Sequence, residues 1–282
     1  MALDIREIAH RLAPKRDIFA TPPKALTFDT FGTVVDWRNT VTEVLVLSAV
    51  GKISASQDAS DISPSVRQKL VQLKAEDWAR FAQEWRNSYK KFVASYDPSE
   101  DEWIDVDTHH HVSLNALLRE WELEGLYTED EVEDLSKVWH FLDPWKDSAP
   151  GLQKLGTKFV TSTLSNGNQS LLKDLNKHGK LGFQKIQSSA DFKAYKPHPS
   201  VYKKAAAALG LQPGEVAMVA AHLPDLKAAR DCGFRTIYVE RKQEEDWDKD
   251  SDQYADAKKW VDLWVGEDEE GFVEVARRFG IE

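Results

Sequence analysis

Four side chains capable of nucleophilic or acid–base chemistry follow apolar, strand-like segments in this sequence. Asp29 lies in KALTFDT, Ser165 ends KFVTSTLS, Lys196 comes after KIQSS, and Asp225 comes after EVAMVAA. In open α/β sheets, ligands bind at the carboxyl ends of parallel strands. The spacing therefore predicts one site that combines two carboxylates, a hydroxyl and an ammonium.

The residues next to these four favour the same interpretation. Asn166 precedes a predicted helix, whose free N–H groups favour an anion. Pro197 restricts the backbone of Lys196 to an extended conformation and so makes it a fixed cation. Pro224 suits the first turn of a helix, which puts Asp225 near the positive end of that helix.

The elements that position these residues are predicted from the hydrophobic pattern. From residue 158 onward, strand-like and helix-like segments alternate, which is typical of a parallel sheet covered by helices. Between the first strand and residue 158 the pattern is mostly helical. We therefore predict an α/β fold, a doubly wound Rossmann-like parallel sheet, with residues 1–39 and 140–282 forming the core and 40–139 a helical insertion.

Composition narrows the class of protein. The 282 residues carry a formal charge of -10, which disfavours nucleic acid and anionic membranes as partners because both need a basic surface. Cys232 is the single cysteine, which fits a reducing, cytoplasmic location. The first twenty residues lack the apolar core of a secretion signal, and we expect a short surface helix there. The acidic stretch 242–259 is expected to be a solvated surface excursion.

The order of the four strand-end groups resembles the haloacid dehalogenase superfamily. The resemblance covers nearly the whole chain and puts the helical insertion at the position of the cap domain of that family. It implies that Asp29 is the nucleophile and that Ser165, Lys196 and Asp225 belong to the second, third and fourth motifs.

Two departures from the phosphatase members of that superfamily concern the reaction. Phe31 occupies the position of their acid–base aspartate, and Ala221 that of an acid that helps to hold Mg²⁺. Phosphoryl transfer would lose both leaving-group protonation and charge neutralisation. We therefore expect no metal and no other cofactor.

The same departures resemble the L-2-haloacid dehalogenase branch, whose signature is similar to FDTFGT, LSNG and YKP followed by Tyr202. The resemblance implies that Asp29 displaces halide from C2 of a 2-haloacid and that water then hydrolyses the aspartyl ester. A small anionic organic acid and water are the implied partners, and a homodimer fits the resemblance.

The resemblance also implies a role for each remaining residue. Lys196 keeps Asp29 ionised, Asp225 polarises water, and Tyr202 supports Lys196. Substrate or halide is bound by residues from several segments, namely Thr33, Arg86, Tyr89, Ser165, Asn166 and His222.

The segment AAH at 220–222 replaces the Ser-Ser-Asn of better-known dehalogenases and is similar to a fluoroacetate-processing subgroup. Small haloacetates, including fluoroacetate, therefore become candidate substrates. Structural interpretations stay open for some residues: Arg86 as a surface arginine and His222 as a hydrogen-bonded core histidine. A Mg²⁺-dependent phosphatase and a non-catalytic relative are the alternative functions.

Overall fold

The computed structural model describes residues 16–55 and 62–282, which form two compact units. The sheet unit contains residues 16–35 and 144–282, and the helical unit contains residues 36–143. The helix expected at the amino terminus falls mainly on residues 1–15, outside the described part. Within the described ranges, no helix is long and apolar enough to cross a membrane.

The helical unit is built around tryptophan side chains. Trp37 stacks on Trp139 with ring centroids 5.9 Å apart, and Trp85 meets Trp139 edge-on at 5.4 Å. The indole N–H of Trp85 donates to Ser113 Oγ over 3.0 Å, which satisfies the buried donor. The helices of this unit are α1 Trp37–Ala55, α2 Pro64–Leu70, α3 Ala75–Ser95, α4 Val106–Glu120 and α5 Glu129–Ser136, followed by a 3₁₀ helix at Lys137–His140.

The sheet unit contains five parallel strands in the order β2-β1-β3-β4-β5. This order places the first strand second from one edge, between β2 and β3 from much later in the chain, and confirms the predicted α/β class. All four residues of the first strand are buried, as expected for a strand covered on both faces. The strands are β1 Ala25–Phe28, β2 Val160–Thr163, β3 Val216–Ala220, β4 Arg235–Val239 and β5 Leu263–Val265.

Among the described residues of the sheet unit, six α-helices connect and cover these strands. The predicted segments after the second strand, before the third and before the fourth are all helical, which confirms the alternating pattern. The helices are α6 Ser148–Leu155, α7 Gln169–His178, α8 Pro199–Ala208, α9 Leu223–Asp231, α10 Asp252–Trp260 and α11 Gly271–Arg278.

One predicted strand is wrong. The segment KIQSS at 185–189 makes only isolated parallel bridges, Lys185 with Ser162 and Ser188 with Ser165. The hydroxyl of Ser188 bonds locally, since it accepts from the N–H of Ala190 over 3.0 Å, and a 3₁₀ helix begins at Ser189. The chain therefore follows the edge of β2 without adding a sixth strand.

Candidate active site

Asp29 directly follows β1 and is the centre of a buried cluster of charged side chains. Its side-chain Oδ1 accepts a hydrogen bond from Lys196 Nζ over 2.9 Å. Oδ2 accepts from Thr33 Oγ1 over 2.8 Å and lies 3.0 Å from Nδ1 of His222. Among the described residues, the two oxygens of Asp29 thus have unequal partners, one on Oδ1 and two on Oδ2.

Thr33 is itself oriented by the backbone. The N–H of Ala221 donates to Thr33 Oγ1 over 2.9 Å, so the hydroxyl proton of Thr33 is directed to Asp29. The side chain of Ala221 provides no oxygen at this position. Among the described residues, no group of three or more His, Cys, Asp or Glu side chains is arranged to hold a metal ion.

Lys196 connects the two carboxylates of the site. Its ammonium donates to Asp225 Oδ2 over 2.6 Å as well as to Asp29, and the residue is 8% exposed. Tyr202 donates to the other oxygen of Asp225 over 2.6 Å, so it supports the lysine through this carboxylate. Asp225 lies in the first turn of α9, as predicted from Pro224.

The protonation states in this cluster follow from these contacts. Burial raises the pKa of Asp29, but the ammonium of Lys196 and the hydrogen bond with His222 outweigh burial and hold this pKa well below its ordinary value. Burial lowers the pKa of Lys196, and its two carboxylates more than reverse that effect. Burial keeps the pKa of Asp225 above its ordinary value. Asp29 is therefore an ionised nucleophile, and Asp225 is the better proton acceptor of the two.

His222 lies between two carboxylates. Nδ1 faces Asp29, and Nε2 lies 3.5 Å from Oε2 of Glu244, a residue that is 6% exposed. Burial lowers the pKa of His222, but its interactions with Asp29 and Glu244 raise it to about 10. The imidazole is therefore positively charged at neutral pH.

The expectation that the acidic stretch 242–259 is a solvated excursion is wrong at its beginning. Glu244 reaches His222, and Glu245 accepts from the N–H of Leu223 at the start of α9 over 2.9 Å. The imidazolium of His222 offsets the cost of burying Glu244, and the N–H of Leu223, which has no partner within the helix, does so for Glu245. A count of charges along the sequence does not reveal these partners.

Three successive carbonyl groups of the loop after Asp29 are held by side chains from distant segments. Trp145 Nε1 donates to the carbonyl of Gly32 over 3.0 Å, and Ser148 Oγ donates to that of Val34 over 2.7 Å. Arg241 Nε donates to the carbonyl of Thr33 over 3.1 Å. The loop that positions Asp29 and Thr33 is therefore fixed on its outer side.

Arg241 is buried, and its charge is balanced by Asp147. Its two terminal nitrogens donate to the carboxylate of Asp147 over 2.6 and 2.8 Å, and that carboxylate also accepts from the N–H of Phe272. Sequence reasoning missed Arg241, Asp147 and Glu244, because each follows a strand or precedes a helix without a motif of its own.

Asn166 holds the backbone of Lys196. Its Oδ1 accepts from Lys196 N over 2.7 Å, and its Nδ2 donates to the carbonyl of Lys196 over 3.2 Å. Ser165 is fully buried beside it, and its hydroxyl accepts from the N–H of Gly167. Contact of Asn166 or Ser165 with a substrate stays a prediction.

The remaining two predicted residues belong to the helical unit. Arg86 and Tyr89 lie on α3, both buried, with the guanidinium 4.6 Å from the centre of the tyrosine ring. The same guanidinium lies 5.7 Å from the ring of Trp37. Arg86 therefore packs against aromatic faces and is not a solvated surface arginine.

The sheet unit thus combines an ionised carboxylate, its fixed cation and a second carboxylate suited to accept a proton. Such a set can attack a carbon bearing a good leaving group and can then support hydrolysis of the ester formed.

Comparisons with known proteins find that the chain is similar to haloacid dehalogenases. A family model for haloacid dehalogenase-like hydrolases matches residues 23–233. The (S)-2-haloacid dehalogenase 4A of Burkholderia cepacia is 28% identical over 222 residues, which make up 78% of this chain and 84% of that protein. A crystal structure of a defluorinating L-2-haloacid dehalogenase matches with a TM-score of 0.74 and 31% identity, covering 95% of this chain and 100% of that one. Another L-2-haloacid dehalogenase structure matches with a TM-score of 0.72 and 29% identity, covering 92% and 99%.

Proposed function

Because the chain belongs to the haloacid dehalogenase-like hydrolases, we propose that it is a hydrolytic dehalogenase of short 2-haloacids, such as haloacetates and L-2-halopropionate. The observation that carries the proposal is the state of Asp29. It is a buried, ionised carboxylate with one hydrogen-bond donor on Oδ1 and two on Oδ2.

In the first step, Oδ1 of Asp29 attacks C2 of the haloacid, and the halide leaves from the opposite face with the electrons of the carbon–halogen bond. Oδ1 is the better nucleophile because it accepts a single hydrogen bond among the described residues. Lys196 keeps it ionised and oriented. The product is an ester in which Oδ1 bridges to C2 and Oδ2 is the carbonyl oxygen.

In the second step, water attacks Cγ of the ester while Asp225 accepts a proton from it. The bond between Cγ and Oδ1 then breaks, so Oδ1 leaves with the substrate as an alkoxide. Lys196, which already donates to Oδ1, protonates this alkoxide. Asp225 lies 2.6 Å from Lys196 and returns its proton to the lysine. Asp29 now carries one oxygen from water together with the second proton of that water, and this proton is lost to solvent. The cycle therefore yields a 2-hydroxyacid, halide and one proton.

Arg86 and Tyr89 of the helical unit are proposed as binding residues for the departing halide. A buried guanidinium packed on aromatic rings is weakly hydrated and available to an anion. Ser165, Asn166 and Thr33 are proposed to contact or orient the substrate, with Asn166 acting at least through Lys196.

Fluoroacetate is included among the candidate substrates. The segment AAH at 220–222, which resembles a fluoroacetate-processing subgroup, supports this choice. The 31% identity to a defluorinating relative supports the same choice. The comparison to make is fluoride release from fluoroacetate against chloride release from chloroacetate.

The decisive experiment is a single turnover of chloroacetate in ¹⁸O-labelled water, with enzyme in excess. The proposal expects one chloride per chloroacetate and the label in the carboxylate of Asp29, located by mass spectrometry of a proteolytic peptide. Label in the hydroxyacid alone would contradict the ester route. Absence of halide release from all haloacids, or hydrolysis of p-nitrophenyl phosphate that EDTA abolishes, would contradict the dehalogenase assignment.

We also propose a cytoplasmic location and a homodimer. The first is supported by a single, free cysteine, Cys232, which forms no disulfide. The second is supported by family resemblance. Fluorescent fusion and fractionation test the location, and light scattering of the purified chain tests the dimer.

A further inference from the structure

We propose that Glu244 is a positioning residue of the second half-reaction, keeping His222 protonated so that His222 and Thr33 stabilise the oxyanion formed on Asp29 Oδ2 during ester hydrolysis. This inference rests on the proposed dehalogenase function. It assigns a role to the acidic stretch after β4, which the sequence indicates only as a surface segment.

The oxyanion of ester hydrolysis forms on Oδ2 of Asp29. Oδ1 becomes the bridging ester oxygen, so Oδ2 is the carbonyl oxygen of the intermediate. Oδ2 is the oxygen that faces two donors, Thr33 Oγ1 at 2.8 Å and His222 Nδ1 at 3.0 Å. When water adds to Cγ, negative charge develops on Oδ2, where preorganised donors are most effective.

The positive charge on His222 is stabilised by different carboxylates before and after esterification. In the free enzyme two carboxylates face the imidazole, Asp29 at Nδ1 and Glu244 at Nε2. Esterification removes the charge of Asp29, whereas the nearby ammonium of Lys196 remains and disfavours a second cation. Glu244 is then the carboxylate in contact with the imidazole, so it becomes decisive for the proton in the second half-reaction.

The surroundings of Glu244 show that its place is built into the fold. The residue is 6% exposed, and its carboxylate packs against the α-carbon of Gly32, where a side chain would collide with it. Gly32 has a φ of 82°, a conformation that favours glycine. The turn beside the nucleophile therefore leaves room for this carboxylate next to His222.

Other charged groups near His222 do not replace Glu244. Glu245 acts on His222 over a longer range, while its oxygens accept from the backbone N–H groups of Leu223 and Trp247. Asp225 is bonded to Lys196 and Tyr202. The imidazole thus depends on Asp29 and Glu244 for direct contacts.

The test uses Glu244→Gln, which keeps the volume of the side chain and can donate to a neutral Nε2. We expect chloroacetate to give a normal burst of one chloride per site, followed by a slow phase limited by ester hydrolysis. Raising the pH from 6 to 9 should slow this phase by about tenfold to a hundredfold, because an imidazole with an ordinary pKa of about 6.5 loses its proton in that range. Mass spectrometry should show carboxymethyl ester on Asp29.

Two further variants make the test specific. Glu240→Gln changes the same charge in the same segment, where Glu240 pairs with Lys249 at the surface, and should behave as wild type. His222→Asn keeps a neutral donor, so ester should accumulate with little dependence on pH, and adding Glu244→Gln to it should cause no further loss of hydrolysis.

The outcomes separate this inference from the proposed function. A Glu244→Gln enzyme that hydrolyses its ester with the wild-type pH profile would overturn the role of Glu244. A reduced chloride burst without ester would overturn it as well, since the residue would then act on the first step. A wild-type enzyme that releases no halide would refute the dehalogenase function itself. If Glu244→Gln does not fold, Glu244→Ala takes its place in the same pH series, with the same expected slowing and the same contradicting result.

Discussion

Two buried histidines, one in each unit, show how surroundings set the state of the same side chain. His222 in the sheet unit lies between carboxylates, and its pKa rises to about 10. His110 in the helical unit stacks on Trp139 at 4.6 Å and meets Trp85 edge-on, and burial among these rings holds its pKa well below the ordinary value. One histidine is a fixed cation for chemistry, and the other is a neutral packing residue.

The difference extends to the hydrogen-bonding of each unit. Both ring nitrogens of His222 face acceptors, whereas Nδ1 of His110 is buried with no hydrogen-bond partner among the described residues. The sheet unit therefore depends on charge pairing at its centre, and the helical unit on aromatic contact. Changes of charge should damage function in the first, and changes of volume or shape should reduce stability in the second.

The largest effect is expected for Lys196→Met, which removes the cation between two carboxylates. The pKa of Asp29 should rise, so kcat/KM should fall by about 10² to 10⁴-fold, and loss of the proton donor for the alkoxide should lower kcat as well. Initial rates of chloride release across pH 5–9 measure this. Lys227→Met, which removes a surface partner of Asp231, should keep the wild-type rate; equal rates for both variants would contradict the central role of the cation.

A smaller effect is expected on stability through His222. The folded protein holds the His222 proton more tightly than the unfolded chain does. Its contribution to the free energy of unfolding is therefore fully present below pH of about 6.5 and is lost as the pH rises through about 10. Urea unfolding at pH 6, 8 and 10 should show that the free energy of unfolding of wild type falls by on the order of 3 kcal/mol relative to that of His222→Asn as the pH rises. Parallel curves would show that the imidazole is neutral.

His110 should give the opposite sign. Because its pKa is lowered in the folded state, its contribution is present above the ordinary histidine pKa and is lost as the pH falls. His110→Phe keeps a ring on Trp139 and cannot be protonated. The free energy of unfolding of the variant, measured with urea, should therefore rise relative to that of wild type when the pH falls from 7 to 5. A constant difference between the two proteins would contradict the neutral state of His110.

The smallest effect is expected for Trp85→Phe in the helical unit. The change keeps an aromatic ring against Trp139 but removes the N–H that bonds to Ser113, which should cost about 1 kcal/mol of unfolding free energy. Thermal melts and urea titration measure it. Ser113→Ala should have a similar effect, and the double variant should show that the two losses are shared.

Much of the sheet unit could be predicted from the sequence because strand ends carry local signals. Asp29 and Asp225 follow apolar runs, and parallel strands bring such ends to one edge. Lys196 lies beside Asp29 as predicted from the sequence, although the segment before it forms bridges and not a strand, and its catalytic role stays a prediction. Its place is set by Asn166, which holds its backbone on both sides.

The contacts that could not be predicted join residues far apart in the chain. Arg241 binds the carbonyl of Thr33 across 208 positions, and no local pattern shows which carbonyl a buried arginine will reach. Glu244 belongs to a run of acids that is typical of a solvated surface. Only the folded position of His222 reveals why one member of that run is buried.

The pairing of Val35 with Pro144 has a consequence for modularity. The chain leaves the sheet unit after one of these residues and returns at the other, and the two are bridged, with Trp145 N donating to the carbonyl of Val34. Insertions are best tolerated where their two ends are close together. Residues 36–143 therefore form a cassette that can be exchanged for another of different length while the junction stays closed and the carboxylate cluster of the sheet unit is left unchanged.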